Sequence, residues 1–245
     1  GYTGILHLGI AAFFAVGAYV AGILTVAAYP FDAYFVVPLV LGPLAAAGLG
    51  VLLGAPTLRL RGDYLALVTL GFGEVVKSAL KNLDAITAST RGLSPLRPPT
   101  QPTTGVPWVD ARADWVGDYR WFYYLTLGVL IVVSLGLRNL ERSRLGRAWV
   151  ALREDELAAH CMGLNPAQLQ VAAFALGAGL AGLAGVLYAT RLTSTSDPNA
   201  YDFNRSIFMV CCLILGGLGS RPGVLLGVFL LVGFDNILSP ALDGW

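Results

Sequence analysis

The sequence predicts an all-α, polytopic integral membrane protein, and three observations carry that prediction. Hydrophobic residues fill 56% of the 245 positions, and mean hydropathy is +0.68. Only 13% of residues are charged, where a soluble domain carries about 25%. The charges are also clustered, so that 33–58, 121–137 and 157–190 contain none. Uncharged apolar runs of this length are candidate membrane spans.

Seven apolar segments follow in order: 1–28, 34–56, 64–81, 121–137, 170–190, 206–219 and 222–239. A hydrocarbon core of about 30 Å needs about 20 helical residues. The first segment is too long for one straight span. Its opening, GYTGILHLG, places glycines at 1, 4 and 9 and reads as a broken or re-entrant piece. The second carries Gly42, Ala46, Gly50 and Gly54 at i+4 spacing. The fifth carries Gly177, Ala181 and Gly185, with Ala178 and Gly182 beside them. Small residues at this spacing let helix backbones approach closely in lipid.

The third segment contains Glu74, about 15 Å along a helix counted from Tyr64. An acid at membrane depth is costly and faces a partner or a cavity. Lys77 and Ser78 stand one turn on as partners. Two readings stay open: a satisfied intrahelical ion pair, or a polar spot beside a substrate path at a helix break near Gly71 and Gly73. The sixth segment, SIFMVCCLILGGLG, is short and is expected to cross only partly. Broken backbone at membrane depth survives only where protein or a watery cavity shelters it, so the first and sixth segments are expected to line a path. Asp235 and Asn236, in the seventh, lie toward a membrane edge.

Two polar connections separate these segments. The 82–120 stretch is long and Pro-rich, with Trp108, Trp115 and Trp121 toward its end; tryptophan there suits interfacial anchoring. The 138–169 stretch holds five arginines. Threading seven spans places 57–63, 138–169 and Arg221 on one side with eight basic residues, and 82–120 with 191–205 opposite with six in a larger loop length. By the positive-inside rule the 138–169 loop is cytoplasmic and 82–120 external. The whole chain, 1–245, reads as one transmembrane domain.

Within 138–169 lies one tightly punctuated stretch, REDELAAHCMGLNP at 153–166. Glu154, Asp155 and Glu156 suit a helix first turn, where acids meet the positive end of the dipole. Gly163 followed by Leu164 suits a Schellman ending. Asn165 then caps a new helix with Pro166 at its first position. A short helix over 153–163 is therefore expected to meet a membrane helix at a fixed corner. Such a helix could lie in a groove of another protein or rest on lipid; its acidic start suits a negative leaflet poorly.

Other chemistry has no pattern to carry it. No G-x4-GK[ST] phosphate loop occurs, and Lys77 and Lys81 are the two lysines. His7 and His160 lie far apart with no H-E-x-x-H or C-x-x-C spacing, so no metal site is expected. Cys161, Cys211 and Cys212 make no disulfide framework. The GLGS at 217–220 lacks the G-x-S-x-G form of a serine nucleophile. A net charge of +1 suggests no nucleic-acid partner.

Five blocks, taken in order, resemble the LivM-type permease family of bacterial branched-chain amino acid ABC importers. They are GYTGILHLGIAAFFAVGAY, LRLRGDYLALVTLGFGE, LGRAWVALREDELAAHCMGLNP, FALGAGLAGLAGVLYA and GGLGSRPGVLLG. The third resembles the EAA-x3-G coupling loop that docks into the ATPase subunits. Ala158, Ala159 and Gly163 match that pattern, and the glutamate stands one place early at Glu156, with Leu157 intervening. The start of the external loop, ITASTRGLSPLRPP, departs from the family's Gly-rich pattern. The resemblance implies an importer permease in the bacterial inner membrane that is not itself an enzyme. It implies a second, heterologous permease subunit, two ATP-binding subunits that hold ATP and magnesium, and an extracytoplasmic substrate-binding protein. It implies branched-chain amino acids, or related small amino acids and amides, as substrate. It also implies further membrane sequence at one or both ends, in keeping with a start at Gly1 rather than Met. The alternative from the residues alone is a secondary transporter or channel for a small polar solute, which would need intramembrane coupling carboxylates; an intramembrane enzyme lacks a catalytic constellation.

Overall fold

The computed structural model describes residues 9–26, 35–57, 63–83, 93–94, 96, 119–195, 197–217 and 219–235. Its helices are α1 (Ile10–Thr25), α2 (Val36–Thr57), α3 (Asp63–Asn82), α4 (Tyr119–Arg142), α5 (Arg144–Glu154), α6 (Glu156–Cys161), α7 (Pro166–Leu192), α8 (Phe203–Gly216) and α9 (Arg221–Gly233), with a 3-10 turn at Pro198–Tyr201. Among the described residues, three helices are long and apolar enough to cross a membrane: Val36–Gly54, Phe122–Arg142 and Pro166–Leu192. Ile10–Thr25, Phe203–Gly216 and Pro222–Gly233 are shorter apolar helices. α3 belongs to neither group, because Asp63, Glu74, Lys77 and Lys81 dilute its hydropathy. The GYTGILHL opening, Trp108, Trp115 and most of 82–120 lie outside the described residues.

The centre of the molecule is α1, α2 and α7, packed backbone to backbone. Gly42 faces Val186, Gly50 faces Ala178 and Gly54 faces Phe174, so α2 and α7 run antiparallel. A Cβ at Gly182 would press on Ala46, which is fully buried. A side chain at Gly17 would run into the Gly182 carbonyl, and one at Gly185 into the Phe14 carbonyl. Glycine is required at these positions by close approach, not by backbone conformation. The expected small-residue stripe on α2 is the real seam. On α7 the seam is Ala178, Gly182 and Gly185; Gly177 is exposed with open space around it. At 3.6 residues per turn an i+4 row drifts around the helix, and Phe174 and Ala178 follow the buried face instead.

Aromatic rings extend this core. Phe13 lies 5.8 Å from Phe174 edge-on and 5.9 Å from Phe72 of α3. Phe14 lies 5.3 Å from Tyr188 and 5.8 Å from Tyr201. The pairs Phe13–Phe174, Gly17–Gly182 and Gly22–Thr195 rise together along the chain, so α1 runs parallel to α7. The ends of the molecule follow from these directions. The C-terminus of α2, the N-terminus of α7 and the α5–α6 segment share one end. Val26, Leu93, Leu96 and Thr195 share the other, where Thr195 N–H donates to Leu93 O at 3.0 Å and Leu96 N–H to Thr193 O at 2.9 Å.

The polar 138–169 stretch, expected to be a loop with one short helix, is helical almost throughout. α4 runs through Arg138 to Arg142, and Ser143 starts α5 at once by accepting from Gly146 N–H at 3.3 Å. Gly146 is buried so tightly against the Leu140 and Glu141 carbonyls that no side chain fits. Arginines here decorate helices that continue past the apolar run.

α8 and α9 form a separate antiparallel hairpin. Gly216 meets Gly223 and Gly227 meets the backbone at Cys212, with no room for a side chain between them. Its turn uses Gly217 at φ 90° and Gly219 at φ 101°, where a Cβ would be strained. With 14 residues, α8 spans about 21 Å, short of a 30 Å core. A short sixth segment was expected; its depth was not.

Candidate functional site

Depth is set by how the chain enters α8. Thr195 lies beside Gly22 of α1, whereas Ser206 accepts a hydrogen bond from Ala11 N–H at 3.1 Å. Along α1 that is a descent of about 16 Å before and during the first turn of α8. Before α8 the described part of this descent is a 3-10 turn with flanking extended residues, and several of its polar groups are met by other protein groups, as membrane depth requires. Leu93 N–H donates to Thr195 Oγ1 at 2.8 Å, Tyr201 O–H donates to Thr195 O, and Ala200 N–H donates to Asp197 O at 2.9 Å. Half-buried Asp202 accepts from Arg205 N–H at 3.1 Å and so caps α8.

At this depth α1, α3, the 3-10 turn and the start of α8 border a small cleft of about 10 Å³, room for about one water, lined by Ala11, Leu70, Gly73, Glu74, Asp202 and Ser206, with Ala12, Tyr201 and Phe203 beside them. Two carboxylates, a buried hydroxyl and an apolar wall therefore meet beside the start of α1. Glu74 is half exposed and receives Lys77 Nζ at 3.2 and 3.4 Å. The ion pair of the first reading is present, and Glu74 also lines this cleft. Ser78 is exposed, and no contact with Glu74 is seen. Gly73 lines the same cleft, 3.8 Å from Gly9 Cα measured to a Cβ built on Gly73. Gly71 is exposed, with nothing within 4 Å of such a Cβ. The expected helix break at Gly71 and Gly73 is absent, for α3 is continuous from Asp63 to Asn82. Glycine in a helix interior costs about 1 kcal/mol relative to alanine, too little to open a helix packed on a core.

Tyr201 and Asp202 escaped the sequence reading, which placed 191–205 in a connection between spans; Ser206 opens the sixth segment, which was expected to line a path. The available signal was capping: Asp197 before Pro198, and Asp202 three residues before Arg205, mark two successive helix starts. Arg205 is held away from these acids, with Nη2 3.0 Å from Tyr188 Oη and the guanidinium 5.5 Å over that ring.

The second candidate region is the corner at the opposite end of α7. The expected helix over 153–163 is in fact two helices. Arg153 and Glu154 end α5, and Asp155 breaks the chain at φ −154°, ψ 111°. Its carboxylate accepts from Leu157 N–H at 2.8 Å and Ala158 N–H at 3.0 Å. The three acids do not share a first turn, because an aspartate that caps a helix must itself stay extended. The ending is as read from the sequence. Gly163 has φ 83°, Leu164 N–H donates to Ala159 O at 3.1 Å, and Gly163 N–H to His160 O at 3.0 Å, the two bonds of a Schellman motif. Asn165 Oδ1 accepts from Gln168 N–H at 3.4 Å and opens α7.

This corner fixes α6 as a rigid projection. Ala159 is buried, and Trp149 Nε1–H donates to Leu169 O at 2.8 Å, fastening α5 to α7. Glu156 is half-buried and Ala158 exposed, while Leu157 is 78% and Met162 84% exposed. Two large apolar side chains held this far out by caps at both helix ends present a small greasy knob.

Residues 1–243 match the family described as branched-chain amino acid transport system / permease component. The chain belongs to this family. The high-affinity branched-chain amino acid transport system permease protein LivM of Salmonella typhimurium is 41% identical over 246 residues, 95% of this chain and 57% of the relative. LivM of Escherichia coli strain K12 is 41% identical over 245 residues, with the same two coverages. The probable branched-chain amino acid transport permease protein LivM of Methanocaldococcus jannaschii is 29% identical over 202 residues, 79% of this chain and 54% of that one. The chain thus spans little more than half the length of these relatives. No solved structure matches it. Within this permease family frame, the cleft at Glu74 and the knob at Leu157 and Met162 stand at different depths of one helical body, joined by α7 and α8.

Proposed function

We propose that the chain is the membrane permease subunit of an ATP-driven importer of branched-chain amino acids in a bacterial inner membrane. The observation that carries this reading is the family match over residues 1–243, with 41% identity to LivM proteins over 95% of the chain. In this reading the chain pairs with a second permease subunit, receives substrate from an extracytoplasmic binding protein, and is driven by two ATPase subunits. It is a transport subunit and not an enzyme; ATP and magnesium belong to the ATPases. The α6 knob, with Glu156, Leu157, Ala158, Ala159 and Gly163, docks into an ATPase on the cytoplasmic side. A capped helix with exposed Leu157 and Met162 suits a groove better than a negative lipid surface. The path for the amino acid runs by the Glu74 cleft. The cleft has room for about one water in this state, so passage requires it to widen; Glu74 and Asp202 then suit the ammonium group, and Ala11, Ala12, Leu70 and Phe203 the hydrocarbon side chain.

The test is uptake of labelled leucine, isoleucine and valine into proteoliposomes holding the permeases and ATPases, with binding protein outside and ATP inside. Uptake that needs ATP and binding protein is expected. Ala158→Arg is expected to insert normally but to lose co-purification of the ATPase. Uptake without ATP would replace the importer by a secondary transporter, and normal co-purification in Ala158→Arg would end the docking role of α6.

A further inference from the structure

Helix α1 lacks a cap of its own. Gly9 stands at its N-cap position and offers no side chain, and the amide of Ala11, in the first turn, has no carbonyl within the helix to receive it. Ala11 is only 2% exposed, so bulk water does not serve that amide. The acceptor is Ser206 Oγ of α8, 3.1 Å away and 195 positions along the chain. Ser206 is itself 2% exposed. A side chain of the hairpin thus does for α1 what a capping serine ordinarily does for its own helix. The bond also joins two walls of the cleft, since Ala11 and Ser206 both line it, beside Gly73 and Glu74 of α3. While it is made, the cleft has room for about one water.

The packing decides which wall can yield. α1 is locked on α7, where Gly17 meets Gly182 and Gly185 meets Phe14 without space for a Cβ. Among the described elements α8 packs on α1, α3, the 3-10 turn and α9. The 3-10 turn is anchored, because Tyr201 donates to Thr195 O and its ring packs on Phe14 and Tyr19. Between that anchor and α8 stands Asp202, extended at φ −84°, ψ 179°, where a small change of ψ swings the whole helix. Two other contacts of α8 can follow such a swing. Arg205 reaches Tyr188 through a long side chain with several rotamers, and Met209 rests on the aromatic cluster around Tyr19 through an adaptable thioether. Ser206 is too short to follow.

We infer that Ser206 is a positioning residue whose hydroxyl latches α8 onto the start of α1 and so holds the Glu74 cleft closed. This deepens the importer reading above and rests on it for the place of the cleft on the path. With the latch parted, the Ala11 amide lies in a dry interior without an acceptor, which is costly. The empty cleft is therefore held shut. Water or a polar solute entering the widened cleft supplies the missing acceptor, whereas a lipid chain cannot, so the latch opens to a polar occupant.

The experiment uses the complete importer with its three native cysteines replaced by alanine and Leu70→Cys placing a thiol on the cleft wall. The nucleotide-free complex is treated from both sides of the membrane with a small water-soluble thiosulfonate, in this parent and with Ser206→Ala or Ser206→Thr added. Ser206→Ala is expected to raise the modification rate roughly tenfold, the population shift that one buried hydrogen bond sustains. Its leucine uptake per ATP should fall several-fold, with the thermal midpoint close to that of the parent. Ser206→Thr keeps the hydroxyl and is expected to stay near the parent rate. An unchanged rate in Ser206→Ala would overturn the inference and leave the importer reading intact. Equal rates in the two variants would also overturn it, since the hydroxyl would not be what closes the cleft. Loss of the thermal transition in Ser206→Ala would overturn it as well, making Ser206 part of the rigid core. A wild-type complex that takes up no leucine would overturn the importer reading; the modification rates need no transport and decide the latch by themselves.

Discussion

The α1–α2–α7 core and the α8–α9 hairpin are both built on glycine, yet they are held very differently. In the core three helices share one seam, so each missing side chain admits a backbone from a different helix: Gly17 meets Gly182, Gly185 meets Phe14 and Gly50 meets Ala178. In the hairpin Gly216, Gly223 and Gly227 join only α8 to α9. Their outward faces remain exposed at Ile214, Leu215, Leu226, Phe229 and Leu230. Interiors packed without voids are bistable or rigid and not continuously deformable. A three-helix seam is therefore the frame, and a two-helix hairpin hung on it is the part that can move.

The sharpest way to break this comparison is to force a side chain into each contact. Gly185→Val drives two methyls into the Phe14 carbonyl and Ala18 N, backbone atoms that cannot step aside. Overpacking costs about 1–3 kcal/mol and occasionally more, and here the upper end is expected. Little folded protein should survive, read as loss of the thermal transition of the detergent-purified chain. Gly223→Val meets the Gly216 carbonyl in the same way but inside the hairpin. The core transition should persist while leucine uptake is lost. Equal losses of thermal stability in the two variants would mean that hairpin and core fold as one unit.

Glu74→Gln asks a smaller question about the surface where frame and hairpin meet. It keeps the shape and removes the charge that faces Lys77 at 3.2 Å. Exposed ion pairs contribute about 0–1 kcal/mol, so stability should hardly change. Uptake should fall several-fold if the carboxylate receives the ammonium group. Unchanged uptake at normal protein level would leave Glu74 with a structural ion pair and no place on the path.

The same contrast explains what could be read in the sequence. The α2 stripe at 42, 46, 50 and 54 was visible because a seam leaves small residues at a helical period. The Gly163–Leu164–Asn165–Pro166 corner was visible because caps are local, fixed by two or three neighbouring residues. The depth of 193–206 was not visible. Nothing in DPNAYDFN distinguishes a capped turn in water from one sheltered by Tyr19, Leu93 and Phe14, since the shelter comes from residues over a hundred positions away. The end of α4 was misjudged for the opposite reason: Arg138 to Arg142 end an apolar run, but helix propensity and the Ser143 cap, not hydropathy, decide where the helix ends.

The smallest expected effect concerns Gly71, where sequence and structure disagreed. Gly71 and Gly73 beside an intramembrane acid predict a hinge, whereas α3 passes through both without interruption. The two glycines also differ from each other. A Cβ on Gly73 would sit 3.8 Å from Gly9 Cα, an ordinary contact with the start of α1, while nothing lies within 4 Å of one on Gly71. No close approach and no positive φ requires glycine at 71. Gly71→Ala should therefore stabilise α3 by about 0.5–1 kcal/mol, because alanine loses less conformational freedom on entering a helix. Transport should be unchanged, since α3, packed on the frame through Phe72 and Phe13, does not need to bend there. The measurement is the thermal midpoint beside leucine uptake. A raised midpoint with lost uptake would show that α3 flexes at Gly71 during transport, and α3 would then count with the moving part.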